Sequence, residues 1–314
     1  MSRNSLRAIA GIVLTTAIFF PAFPIAGLGI HYGMDFSLSM DDAVAEQVDL
    51  STLKLDVNTF GVTLPSGLPS DILTGGLTGK DLPITIDRSD FASTPINIGA
   101  KLYVDIIPFI DAVEVSGNIG MWDYKSKIKY PTSIAFNSGT YDPTKTFQEQ
   151  VTPTYDSIVI ENIDGLKDLG VENTPYAKLN IDLTIRKYIV QIPPVVHMLK
   201  VYGGAGATLN FATPVLSAGF IDDAIGDKLG TVTTLAGMQS VFNDGSIEEE
   251  FMKQLFTPHF GAHLDLGAMF KIPVVPIGLY IDGKFYIPFG DLDKNVSSLK
   301  STGLALNAGI ALAF

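Results

Sequence analysis

The sequence predicts an all-β fold: an antiparallel, up-and-down transmembrane β-barrel of about eight strands, with long loops that contain short helices. Three observations carry this prediction. Apolar residues recur at every second position in segment after segment, the period of a strand with two unlike faces. Hydrophobic residues make up 46% of the chain and charged ones 17%, yet beyond the N-terminus no apolar run is long enough for a spanning helix. The strand-like segments are joined alternately by short and long connections, as in barrels that cross a membrane.

The chain has 314 residues, enough for one barrel with large loops or two small domains. Its net charge is −12, and no basic stripe is present to hold nucleic acid. There is no cysteine, which excludes disulfides, thiolate metal sites and a lipid-anchored Cys. The N-terminus is laid out as a secretory signal. Arg3 and Arg7 precede an apolar run from Ala8 to Phe20, and Ala26 is the expected last residue of the leader, although Pro24 fits the cleavage pattern poorly. The expected organisation is therefore a signal peptide over 1–26 and a single barrel domain over 27–314.

The strands follow in order. Leu28, Ile30, Tyr32, Met34, Phe36, Leu38 and Met40 alternate with Gly29, His31, Gly33, Asp35, Ser37 and Ser39. The same alternation recurs over 96–106, 113–121, 178–186, 199–211, 260–271, 277–287 and 304–314. Each segment is about long enough to cross a bilayer at a tilt. The short connections carry Pro108, Pro193 with Pro194, and Pro273 with Pro276, and proline ends strand pairing. The long connections run over 41–94, 124–175, 212–258 and 289–300. Within them, Lys127–Tyr130 and Ser157–Ile163 either extend strands above the membrane or add a hairpin, and Leu64–Pro83 reads as irregular loop. Ile221, Ile225, Leu229, Val232, Leu235 and Met238 have helical spacing, weakened by Gly226 and Gly230. Ser246 and Glu249 have the spacing of a capping box that opens a second helix.

The last strand ends in Asn307, Gly309, Leu312 and Phe314. That pattern of a polar residue, a glycine and two alternating hydrophobics resembles the C-terminal insertion signal of bacterial outer-membrane β-barrel proteins, of the small eight-stranded, OmpA-type architecture. The resemblance implies an outer-membrane location with both termini periplasmic. It also implies contact with outer-membrane lipid and, during insertion, with the barrel-assembly machinery.

Alternation alone does not say which face is wet. Glycines dot the more polar face, at Gly29, Gly33, Gly99, Gly120, Gly204, Gly206, Gly261, Gly267 and Gly309. Small residues belong where side chains share a narrow interior, so the polar face is read as the lumen. A lumen polar network is then expected from His31, Asp35, Lys101, Asp105, Glu114, Lys178, Asp182, Arg186, Lys200, His263, Asp265, Asp282 and Lys284, with Lys271 on the same parity. Charges in so narrow a space must be paired or hydrated. His259 and His263 do not form a helical metal pair, so no metal and no cofactor are expected. Trp122 sits at a strand end, where it either lies at the membrane interface or plugs the mouth.

Three functional classes follow. The first is a packed-lumen barrel whose loops meet an extracellular ligand or host surface. The second is a channel or transporter for small or hydrophobic solutes, gated by the 212–258 loop. The third is a lipid-modifying enzyme built on His31 or His263 with Ser37 or Ser39. No spacing selects that last site, and the expectation is that the protein is not an enzyme. Oligomeric state is left open.

Overall fold

A computed structural model describes residues 26–40, 44–48, 54–60, 62–78, 81–105, 110–159, 173–192, 198–242, 244–271, 275–296 and 299–313. The leader-like segment up to Ile25 and the terminal Phe314 lie outside these, as do Pro108, Pro193, Pro194 and Pro273.

The strands are β1 (Ala26–Asp35), β2 (Val44–Gln47), β3 (Lys54–Leu55), β4 (Leu77–Thr78), β5 (Thr85–Val104), β6 (Ala112–Phe136), β7 (Val151–Val159), β8 (Thr174–Ile192), β9 (Leu199–Ala212), β10 (His259–Lys271), β11 (Ile277–Pro288) and β12 (Gly303–Ala313). The helices are α1 (Ser70–Gly75), α2 (Ala218–Leu229), α3 (Leu235–Phe242) and α4 (Ser246–Leu255).

Eight strands close on themselves in the order β1, β5, β6, β8, β9, β10, β11, β12, with β12 pairing back onto β1. Every pairing is antiparallel. The register is staggered. Followed across the sheet, Ala26 faces Val104, then Val113, Ile185, Ala205, Leu264, Phe285 and Leu304. Leu304 then accepts a hydrogen bond from the Phe36 N–H at 2.8 Å, ten positions along β1 from the start. That offset sets the strand tilt, typically ~35–45° in such barrels, and a diameter that side chains can fill.

The apolar face points outward. Ile30, Tyr32, Ile98, Leu183, Leu266, Ile281 and Ile310 are each half or more exposed, while their polar neighbours in sequence are buried. This inverts the order of a water-soluble protein, and an isolated sheet with so continuous an apolar face would aggregate.

Glycine makes the interior possible at particular rungs. A Cβ on Gly309 would sit 2.3 Å from the Ile30 carbonyl oxygen and 2.5 Å from the Tyr280 ring. A Cβ on Gly27 would meet the Tyr103 ring at 2.1 Å, and one on Gly267 the Tyr202 ring at 2.5 Å. The bulk missing from one strand is supplied by an aromatic ring from another, which keeps the lumen filled at protein density.

Above the loop-side mouth, β5, β6 and β8 run on past the barrel. β2 pairs with the extension of β5, and β7 with that of β6, down one edge each. The Lys127–Tyr130 and Ser157–Val159 segments thus form a hairpin over the barrel and add no strand to its wall. The loops bury a core of their own, built from Leu55, Leu77, Ile84, Ile86, Trp122, Tyr176, Val215, Ile221, Leu229 and Val296 among others.

Four local expectations change. The outward alternation of the first strand ends at Phe36; Leu38 turns inward and is 4% exposed, because the chain there bends over the mouth into the loop core. Leu64–Pro83 is not wholly irregular, since it holds α1 and also β4, which pairs with β3 to complete that core. The helical run after β9 breaks at Gly230 into α2 and α3. The capping box does not form: Ser246 is the first residue of α4, and its hydroxyl accepts from Lys228 instead.

Candidate functional site

The inward face assembles a continuous polar cluster from all eight barrel strands. At its middle the Arg186 guanidinium lies 2.5 Å from Glu114 and 2.7 Å from Asp265, stacked 4.1 Å over the Tyr202 ring. Lys101 donates to Asp282 at 2.7 Å and sits 3.3 Å above the Tyr280 ring. Lys284 donates to Asp182 at 2.8 Å and lies 3.4 Å from Glu114. Asp182 also accepts from Asn118, Thr208 and Tyr286 at 3.0–3.1 Å. Burying a charge without partners would cost several kcal/mol per ion, so this carboxylate carries donors from three strands.

Both histidines are held by both ring nitrogens. His31 contacts Tyr280 at 2.9 Å and Asn118 at 2.6 Å; His263 contacts Thr184 and Thr208, each at 2.8 Å. Neither reaches Ser37 or Ser39. Ser37 instead accepts from Lys178, which lies 3.1 Å from Asp35. The His–Ser pairing drawn from the sequence is therefore not assembled: Ser37 is buried but bonded to Lys178, and Ser39, past the end of the alternation, is exposed.

The two ends are closed differently. At the short-turn end, Tyr103, Tyr202, Tyr280 and Met269 form an apolar layer, with Asp105 held by Lys200 at 2.7 Å and by Tyr188 at 2.5 Å beneath it. Lys271 lies half-buried at the end of β10 and joins no ion pair among the described residues. At the loop end Trp122 is fully buried, edge-on to Tyr176 at 6.1 Å between ring centres, and fills the mouth. A void just below, lined by Lys178, Thr208, Tyr286 and Ser301, has about 10 Å³, room for about one water.

Over Trp122 the segment from Thr213 to Ala218 crosses the mouth, its backbone held by side chains from four other parts of the chain. Tyr124 accepts from the Leu216 N–H at 2.9 Å and Asp293 from the Val215 N–H at 2.8 Å. Arg88 donates to the Leu216 carbonyl at 3.1 Å and pairs with Glu46, which accepts from the Ala218 N–H at 2.8 Å. Ser217 then caps α2 by accepting from the Phe220 N–H. Burial pushes the Asp293 carboxyl above its ordinary range. Far out on the loops, hydrogen bonds from Lys228 and Ser246 hold the exposed Asp244 at about 2.

Sequence parity brings together the thirteen expected lumen residues. It does not single out the tyrosines that cover the cations, nor Asn97, Asn118, Thr184, Thr208 and Asn307, although these share the inward parity. The Arg88–Glu46–Asp293 clasp lies above the barrel, on the extension of β5, on β2 and in the connection after β11, in a stretch of sequence read as long loops, and sequence reasoning misses it. Of the C-terminal pattern, Asn307 is inward, donating to Asp282 at 2.9 Å, and Gly309 receives the Tyr280 ring. Leu312 faces outward, and Phe314 falls outside the described residues. Among the described residues no group of acids and histidines is arranged to hold a metal ion.

Fold and interior together define a closed eight-stranded β-barrel with an apolar outer wall, a polar filled interior and a folded loop cap. No known protein family matches this sequence, and no curated protein does either.

Proposed function

We propose that the protein is an integral outer-membrane β-barrel with a packed lumen, acting as a rigid platform that presents its loop cap to the outside. The carrying observation is the pairing of opposites in one wall: large apolar side chains exposed all round the outside, and charges paired within. Lipid is the solvent that satisfies such an exterior, and a closed barrel leaves no unpaired strand edge in it. The C-terminal strand pattern and the leader-like start support the outer membrane as its location, with the termini and short turns periplasmic. On this reading the partners are outer-membrane lipid, the assembly machinery during insertion, and an extracellular ligand or host surface at the cap. The protein performs no catalysis, and both histidines serve as fixed struts of the lumen.

The test is insertion and orientation. The refolded chain in phosphatidylcholine vesicles should run faster on a gel before boiling than after, as closed barrels do. Protease added to intact cells should cut only within the long loops. Cleavage confined to the short proline turns would reverse the orientation, and failure to partition into vesicles would remove the membrane reading.

A further inference from the structure

The apolar wall does not end level around the barrel. On β10 and β11 it reaches Phe260 and Phe289, 66% and 73% exposed. The two lie side by side, since the Phe289 N–H donates to the Phe260 carbonyl at 2.9 Å. From Leu279 the outward positions climb ten residues to Phe289. At ~3.3 Å per residue and a tilt of ~40° that is about 25 Å along the axis, the height of an apolar membrane band. These rings therefore stand at the upper edge of that band.

The next apolar side chains above them belong to α4, which leads into β10 through Thr257 and Pro258. Phe256, at the helix C-terminus, is 67% exposed, and Met252, one turn earlier, is 48% exposed. The opposite face of α4 is committed to the cap, where Ile247 and Phe251 pack on the loop core. The exposed face is graded along its length. Along the chain toward β10, exposed Glu249 comes first, then Lys253, paired with Glu250 at 2.7 Å, then Phe256. The acid-before-base order suits the helix dipole in any solvent, but a helix facing only water gains nothing from the bare Met252 and Phe256 beside it. A helix descending onto a bilayer does: an acid in water, a cation at headgroup depth with its stem along the surface, and an aromatic ring at the boundary of the acyl chains.

We propose that the last turn of α4, Met252 to Phe256, together with Phe260 and Phe289, is an interfacial foot that seats in the headgroup region of the loop-side leaflet. Its occupant is the lipid surface, because the foot continues the wall that lipid already covers. The inference rests on the membrane reading above. Because α4 packs against α2, the foot ties the cap to the bilayer on the β10–β11 side and fixes the tilt of the surface it presents.

The chain has no cysteine, so single-cysteine variants of the full-length protein label cleanly. An environment-sensitive fluorophore at Phe256→Cys, and separately at Met252→Cys, is read in phosphatidylcholine vesicles containing lipids spin-labelled either at the headgroup or deep in the acyl chain. Glu249→Cys and Ile281→Cys serve as references. The foot predicts blue-shifted emission at positions 252 and 256 with loss of intensity to headgroup spin labels, emission at position 249 as in water, and quenching at position 281 by deep labels. Water-like emission at positions 252 and 256 while position 281 is quenched overturns the foot and spares the barrel reading. Water-like emission at position 281 overturns both. If the shift at position 256 disappears as the protein-to-lipid ratio is lowered, the occupant is a second copy of this chain and the proposal fails.

Discussion

Gly309 and Gly117 lie on barrel strands in opposite surroundings. A Cβ at Gly309 collides with backbone and with the Tyr280 ring, whereas one at Gly117 meets nothing within 4 Å. Gly309→Ala should therefore destabilise the barrel by about 1–3 kcal/mol, the usual cost of overpacking. Gly117→Ala should leave stability nearly unchanged. Urea titration, followed by loss of the fast-migrating gel band, separates the two. Arg186 makes a stronger case, since it alone touches both Glu114 and Asp265 closely. Arg186→Met strands the buried Asp265 carboxylate and takes the nearest cation from Glu114, and should cost about 3–5 kcal/mol in the same titration; an effect below 1 kcal/mol would mean that water already reaches those groups. Asp293 supplies a pH signature. Its carboxyl titrates higher in the folded cap than in the unfolded chain, so the folded state holds the proton more tightly. Its contribution to stability is thus fully present below the ordinary aspartate range and is lost as pH rises through the folded value. Cap protection from protease, compared between wild type and Asp293→Asn, should shift in favour of wild type as pH falls. A difference that is constant with pH would show that Asp293 does not titrate as described.

At the scale of elements, what could be read from the sequence follows the reach of the local periods. All eight barrel strands are legible because one face meets an apolar surround and the other a crowded lumen, so each residue's parity decides its side. The lumen cluster inherits that legibility: Asp182 and Lys284 are far apart in sequence, yet parity alone turns both inward. The cap is less legible, because its strands extend beyond the barrel, where parity changes meaning. Leu38 keeps the alternation of its strand and still ends in the loop core. Ser246 has a capping-box partner at the right distance, but Lys228 from another helix takes its hydroxyl. The clasp over the mouth joins Glu46, Arg88 and Asp293, residues that only tertiary structure brings together. Helix α2 is the exception, since its apolar spacing is visible and Phe220, Ile221, Ile225 and Leu229 are all buried. Phe220→Ala should open the cap at a cost of about 3–5 kcal/mol while the barrel still shows its gel shift. Joint loss of both would mean that cap and barrel fold as one unit.

At the scale of the whole molecule, the distribution of charge separates the two compartments. The lumen holds six carboxylates, Asp35, Asp105, Glu114, Asp182, Asp265 and Asp282, against five cations, Lys101, Lys178, Arg186, Lys200 and Lys284. It is nearly neutral, so most of the net charge of −12 is carried outside it. Among the described residues, aromatic layers close on the lumen at either end and ion pairs fill the space between them, unlike wider barrels with a water-filled channel. On the proposed function, the apolar exterior, the filled interior and the clasped cap make a barrel that spans a membrane without conducting through it. The most direct test of that claim is single-channel recording in a planar bilayer, on protein whose gel shift on boiling establishes the closed barrel. The account predicts a silent membrane. A steady conductance of nanosiemens order would contradict it, requiring an open lumen and a cap that stands away from the mouth.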